Sequence, residues 1–366
     1  MKTIKFLNLS IVSKHDLKNY QNIFKKFLKK GIFVLGKDVD SFEKKISKYN
    51  NKKFSVGVSS GTNALYLALK TLGISKGDEV IVPCMSWYST FTAVTMLGAI
   101  PIGVDISDDL QLDQTKIIES ITKKTKAMIY VHFTGLSKSL TYLKKICNKK
   151  KLFLVEDCAQ SFGAKTNGIK VGHYSDIASY SMNPMKVFAA IGDAGFISMN
   201  KKKLFNKANI LRYAGVDMKL DDCKFPDLNN KIDTLQALIL NYRLPLLKKV
   251  IIQRINNAKI YNKHLTNKVI KPIFKDNFEH IYYTYVIRTK KRDQLINYLK
   301  KNKIETKIQH NKTIYDHSGL KKYNIYKKKF KNANILKKEI LCLPVHEKLS
   351  KKDLMRVCRV INNFKF

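Results

Sequence analysis

From Phe54 onward, short apolar runs alternate with longer segments whose apolar residues recur at helical spacing. FSVGV (54–58) reads as a buried strand. TNALYLALKTLG (62–73) reads as an amphipathic helix that Gly73 ends. EVIVP (79–83) is the next strand, stopped by Pro83, followed by a helix over 86–98 and a strand over 101–106. KAMIYVH (126–132) and KLFLVED (151–157) read as two further strands separated by a helix near 138–149. IASYSM (177–182) and AGFISMN (194–200) complete the set. Strands that alternate with helices imply βαβ units and an α/β fold, with a mainly parallel sheet covered by helices on both faces. Ligands on such sheets bind beyond the carboxyl ends of the strands.

A long helical stretch is expected from about Thr234 to His264. The remainder mixes strands such as HIYYTYVIR (280–288) with helices. This predicts a large α/β domain over 1–245, including a polar helical segment over 1–50, and a smaller α+β domain over 246–366. At 366 residues the chain can bury a sizeable core without disulfides or metals. Its six cysteines form no CxxC pair and no zinc-spaced cluster, which predicts reduced, mostly buried thiols in the cytoplasm. The least polar stretch, Phe91 to Val104, is too short and too broken by Gly98 and Pro101 to span a bilayer, so no membrane partner is expected.

The formal net charge is +41, which raises the possibility of a polyanionic partner. The detail argues otherwise. Only seven of the 69 basic residues are arginine, and the lysines are spread along the whole chain among Asn and Ile. Arginine is the residue suited to bidentate phosphate and base contacts. A solvated lysine-rich surface is therefore the expectation, with no nucleic acid bound. Part of the excess can steer a phosphate-bearing substrate.

Three segments carry candidate chemistry. SSGTN (59–63) lies between a strand and a helix. Gly61 permits close backbone approach, and free amides at a helix N-terminus can hold a phosphate. As a lone motif it also reads as a simple N-cap, and GxxxxGK(S/T) is absent. VEDCAQ (155–160) puts Glu156 and Asp157 at a strand's end, with an amide at Gln160. Such a pair can hold a heteroaromatic nitrogen and a phenolic oxygen, or merely cap the next helix. Lys186 lies in an unusually uncharged stretch, YSMNPMKVFAAIGDAGF (180–196). A lysine in apolar surroundings becomes a usable nucleophile; a pairing with Asp193 is the plainer reading. Together a phosphate cradle, a ring-nitrogen carboxylate and a nucleophilic lysine are what a pyridoxal phosphate enzyme requires.

The chain also resembles the DegT/DnrJ/EryC1/StrS family of sugar aminotransferases over about residues 28–365. The resemblance rests on FVLGKDVDSFE (33–43), SSGTNALYLAL (59–69), GDEVIVP (77–83), GAIPIGVDI (98–106), TKAMIYVHFTG (125–135), VEDCAQSFGA (155–164), GDAGF (192–196), NNKIDTLQALIL (229–240) and LCLPVH (341–346). It implies a fold-type-I transferase in which Lys186 joins covalently to pyridoxal 5'-phosphate. Asp157 would meet the pyridine nitrogen, Gln160 the ring hydroxyl, and Trp87 the pyridine face. Gly61 and Thr62, with Asn63 just after them, match the phosphate turn, and Ser181 matches a hydroxyl on the phosphate. Asn229 matches a residue that reaches the phosphate of a neighbouring subunit, which implies a homodimer with shared active sites. The implied reaction moves an amino group, usually from glutamate, to a keto-sugar linked to a nucleoside diphosphate, for amino-sugar and surface-glycan synthesis. Related sugar dehydratases carry histidine where Lys186 stands. The chain departs from the family at Lys231, at Thr134-Gly135 and at Ile308-Gln309-His310, all near the expected substrate.

Overall fold

A computed structural model describes residues 2–11, 13–275, 277–326 and 330–366. The polar N-terminal stretch forms α1 (Lys14–Lys30) and α2 (Lys37–Asn50) around a glycine-containing turn. Ser13 caps α1 by accepting the Asp16 amide at 3.3 Å, and Gly31 ends it in the left-handed region. Helix α2 buries Val39, Phe42 and Ile46, whereas α1 buries nothing.

The alternation then follows the apolar pattern: β1 (Phe54–Val58), α3 (Gly61–Leu72), β2 (Glu79–Pro83), α4 (Ser89–Thr95), β3 (Ile100–Val104), β4 (Thr125–Val131), α5 (Thr141–Lys150) and β5 (Phe153–Asp157). A two-residue ladder, β6 (Lys165–Thr166) with β7 (Ile169–Lys170), precedes β8 (Ile177–Ser181), β9 (Gly195–Met199) and α6 (Lys202–Arg212). A second small ladder, β10 (Val216–Asp217) with β11 (Asp222–Cys223), leads to α7 (Thr234–Arg243) and α8 (Leu247–His264). The chain closes with β12 (Tyr285–Arg288), α9 (Arg292–Lys301), α10 (Lys331–Glu339), β13 (Ile340–Leu343) and α11 (Lys351–Asn362).

Seven strands form the central sheet in the order β1-β9-β8-β5-β4-β2-β3. The run from β8 to β3 is parallel, and β9 alone pairs antiparallel, with both β8 and β1. Helix α3 lies against this sheet with Leu65, Leu67, Ala68, Leu69 and Leu72 buried. Each such leucine contributes about 1.5–3 kcal/mol relative to exposure. That burial fixes α3, and with it the position of its N-terminus.

Three elements differ from the sequence expectation. The helix expected over 86–98 starts only at Ser89, which leaves Ser86 and Trp87 in an irregular segment beyond β2. The stretch from 234 to 264 is two helices, because Pro245 sits in the 3-10 turn Leu244–Leu246 between them. Of HIYYTYVIR only Tyr285–Arg288 is strand. Its first half pairs instead with the turn after β4: the Ile281 amide donates to the Gly135 carbonyl at 3.0 Å and that of Thr284 to the Thr134 carbonyl at 3.3 Å.

Candidate active site

The carboxyl ends of β1, β2, β5 and β8 open onto one cavity of about 370 Å³. Its lining includes Gly61, Thr62, Trp87, Asp157, Gln160, Ser181 and Lys186. Seven of the nine residues singled out from the sequence therefore converge, although Gly61 and Lys186 are 125 positions apart.

One end of the cavity is the N-terminus of α3. Ser60 caps it by accepting the Asn63 amide at 3.1 Å. The first amides of a helix have no intrahelical acceptor, so those of Gly61 and Thr62 are available to an anion, and the helix dipole favours one. Ser181 packs onto this turn so closely that a Cβ on Gly61 would lie 2.4 Å from the Ser181 Cβ. Thr62 Oγ1 meets Ser89 Oγ at 2.7 Å. The structure thus gathers three hydroxyls around a helix N-terminus.

Asp157 ends β5, only 5% exposed. It accepts the Ala159 amide at 3.0 Å and, at 3.5 Å, the Thr90 hydroxyl. Burial pushes its pKa above the usual carboxylate range, opposed by the Ala159 amide and by the charge of Lys186. The neighbouring Glu156 points into the interior, where it meets His132 Nε2 at 2.9 Å and accepts the amides of Gly172 and Ser175. Its pKa is lowered: those bonds outweigh the desolvation that would raise it. The two acids of the ED pair therefore differ, one satisfied within the protein and one facing the cavity.

Lys186 stands in a loop closed by the Ala190-to-Met182 and Met182-to-Ala194 backbone bonds, both 2.7 Å. Its Nζ lies over the Tyr283 ring, 4.8 Å from the centroid. The Asp193 pairing does not form; Asp193 instead accepts Asn183 Nδ2 at 2.7 Å. Gln160 Oε1 accepts the Thr134 amide at 2.9 Å, which leaves its NH2 group as donor. Trp87 is 46% exposed and not a core residue; its ring is 5.9 Å from that of His310.

Two residues lie outside the lining. Asn63 turns back, its Nδ2 donating to Ser59 Oγ at 2.6 Å, so its side chain braces the turn. Asn229 is exposed, its Oδ1 accepting the Lys231 amide at 3.3 Å. Lys231 Nζ in turn sits over the Tyr213 ring at 4.1 Å.

Sequence reasoning missed Thr90, Asn183, Tyr283 and Lys307, which complete the wall. His310 lines the cavity with Gln309, has φ +62, and is held neutral by burial, its pKa pushed down to about 3. Only the departure at 308–310 signalled this wall in the sequence.

A mainly parallel sheet, a helix N-terminus at the cavity's end, and a lysine amine sharing that cavity with a buried acid define an enzyme of the fold-type-I class. The chain belongs to the DegT/DnrJ/EryC1/StrS aminotransferase family, whose profile matches residues 15–362. It is 32% identical to the dTDP-3-amino-3,6-dideoxy-alpha-D-galactopyranose transaminase of Aneurinibacillus thermoaerophilus, covering 99% of both chains. It is 34% identical to the dTDP-3-amino-3,4,6-trideoxy-alpha-D-glucose transaminase of Micromonospora megalomicea subsp. nigra over 74% of each. The crystal structure of NtdA from Bacillus subtilis with bound cofactor PMP superposes with a TM-score of 0.93 at 26% identity, covering 99% of this chain and 85% of that one. The chain is a pyridoxal phosphate-dependent aminotransferase. Among the described residues no helix is long and apolar enough to cross a membrane.

Proposed function

We propose that the chain transfers an amino group from an amino acid, glutamate by family resemblance, to a keto-sugar carried on a nucleoside diphosphate. The observation that carries this reading is the shared cavity of Lys186 and the buried Asp157 at the N-terminus of α3. The residues fit the coenzyme. Asp157 is a desolvated carboxylate facing the cavity, where a protonated ring nitrogen would supply a counter-charge. The absence of a Cβ at Gly61 lets the Ser181 hydroxyl pack against the N-terminal turn of α3, so the hydroxyl and the turn's free amides can serve one phosphate.

When bound, pyridoxal phosphate supplies a ring that withdraws electrons from the carbon losing its proton. Gly61, Thr62 and Ser181 would hold its phosphate, Trp87 its face, Gln160 its ring hydroxyl and Asp157 its ring nitrogen. Lys186 would hold it covalently until an amine donor takes its place. The freed Lys186 Nζ takes the proton from the donor α-carbon. In the second half-reaction it returns a proton to the sugar carbon that gains nitrogen. Lys186 stands where the related dehydratases carry histidine, which favours amino transfer.

We also propose a homodimer. Asn229 is exposed outside its own cavity, in a stretch of chain that also exposes Met218, Leu220, Phe225 and Leu228. That placement suits a residue serving a second copy's phosphate. Six unpaired cysteines, five of them buried, suit a reducing cytoplasm.

The test is incubation with glutamate and a panel of 3-keto and 4-keto sugars on dTDP, UDP and GDP, with products identified by mass and NMR. The two relatives named above are both dTDP-3-amino-sugar transaminases, so 3-keto dTDP-sugars should be turned over best. Borohydride should fix the coenzyme on Lys186, and sedimentation should give twice the chain mass. No amino-sugar from any substrate, or coenzyme fixed on another lysine, would overturn the reading; a monomeric mass would remove the shared site.

A further inference from the structure

Tyr283 is fixed in place by an unusual number of groups. Tyr282, just before it, has φ +49, a conformation that a bulky side chain adopts only when its surroundings impose it. The ring of Tyr282 stacks on His280 with centroids 3.9 Å apart, and its amide donates to His280 Nδ1 at 3.0 Å. Arg254, 3% exposed, donates from Nη1 to the carbonyls of Tyr282 and Tyr283, at 3.2 and 3.3 Å. Its Nη2 pairs with Glu347 at 3.0 Å. Gly135 lets the turn after β4 close in, because a Cβ there would lie 2.9 Å from the Tyr283 amide nitrogen. The result of all this is one placement: the Tyr283 ring under Lys186 Nζ, on the cavity wall. The segment thus presents the face of the Tyr283 ring to Lys186 Nζ.

Resting on the proton-transfer role proposed for Lys186, we infer that Tyr283 is its positioning residue, a π-face that holds the lysine as a cation beside the cavity. A ring face attracts an ammonium and has no such attraction for a neutral amine. The contact therefore favours Lys186 Nζ at the moment it has accepted a proton, and it fixes the direction in which that proton is handed back.

The test compares Tyr283→Phe and Tyr283→Leu with the unaltered chain, with melting temperatures to confirm folding. Two readouts are taken: acetic anhydride labelling of Lys186 in coenzyme-free protein at one fixed pH, and kcat and KM for the sugar. Loss of a cation–π contact changes an equilibrium by about twofold to thirtyfold. Tyr283→Leu should raise the labelling rate by such a factor, because the ring that attracts the ammonium is gone, and lower kcat with KM unchanged. Tyr283→Phe keeps the ring and should match the unaltered chain in both. Two results overturn the inference: labelling and kcat that fall together or stay unchanged in the leucine variant, or a phenylalanine variant as impaired as leucine. The labelling arm needs no coenzyme, so it stands apart from the proposed reaction. Failure of borohydride to fix the coenzyme on Lys186 would sink that reaction and leave the contact intact.

Discussion

Replacing Asp157 by asparagine should stabilise the coenzyme-free protein and weaken the loaded one. The carboxylate is 5% exposed and accepts the Ala159 amide at 3.0 Å and the more distant Thr90 hydroxyl. Burial raises its pKa despite those bonds and the charge of Lys186. A folded-state pKa above the unfolded value means that the folded chain binds more protons between the two. Stability therefore falls as pH rises through that window, and the loss persists above it. Asparagine keeps the shape and, on Oδ1, the bond from the Ala159 amide without the charge; its Nδ2 can meet the distant Thr90 hydroxyl only as a donor. Coenzyme-free Asp157→Asn should thus be the more stable form at neutral pH. The gap should narrow as pH falls toward about 4, where the carboxyl of the unfolded chain also takes up its proton.

With pyridoxal phosphate the order reverses. Removing one partner of a buried ion pair costs about 3–5 kcal/mol. That corresponds to coenzyme affinity weaker by roughly a hundredfold to several thousandfold. Urea unfolding at a series of pH values, with and without coenzyme, reads both effects, and absorbance titration gives the affinity. A variant no more stable than the original at neutral pH, or one that binds coenzyme as tightly, would refute the argument.

Two further outcomes follow from the geometry. Gly61→Ala places a methyl 2.4 Å from the Ser181 Cβ, so overpacking should cost about 1–3 kcal/mol of urea stability and weaken coenzyme binding. Gly319→Ala, with nothing within 4 Å of the added methyl, is the control and should cost no stability and leave coenzyme binding unchanged. Burial holds His280 neutral, its pKa pushed down to about 3, whereas in the unfolded chain it takes up a proton near pH 6.5. Its contribution falls with pH by up to about 1.4 kcal/mol per unit, roughly 2 kcal/mol between pH 6.5 and 5. His280→Gln should flatten the stability profile there by that amount; an unchanged slope would show that the histidine is not held neutral.

What the sequence made legible was whatever depends on neighbours along the chain. The apolar run that ends in Glu156 and Asp157 is both a strand and a pointer to its carboxyl end, where β5 does deliver an acid to the cavity. Lys186 stood out because its flanks are uncharged, and the loop that carries it is closed by its own backbone bonds. The direction of the Asn63 side chain was not legible, because adjacency to Gly61 says nothing of direction: the first turn of α3 points that side chain back at Ser59. The irregular start of α4 was hidden too, since Ser86 and Trp87 carry no signal that separates them from the helix after them.

The wall formed by Tyr283, Lys307, Gln309 and His310 was not legible for a different reason. HIYYTYVIR has the composition of one uninterrupted strand. Its first half gives up strand pairing because the Thr134–Gly135 turn, about 150 residues earlier, offers competing backbone partners. That exchange turns Tyr283 toward Lys186 and leaves Tyr282 in a strained conformation that Arg254 holds from behind. The same turn is held from the other side by Gln160, whose Oε1 takes the Thr134 amide. Of the segments at 134–135 and 308–310, the second lines the cavity, while the first supports the cavity residue Gln160 through the Thr134 amide. Gly61, Asp157 and Ser181 reach the cavity at or just beyond strand ends, which local sequence dictates, whereas Tyr283, Gln309 and His310 reach it through contacts between distant segments. Choice of sugar should accordingly respond to changes at Gln309 and His310 while coenzyme binding does not.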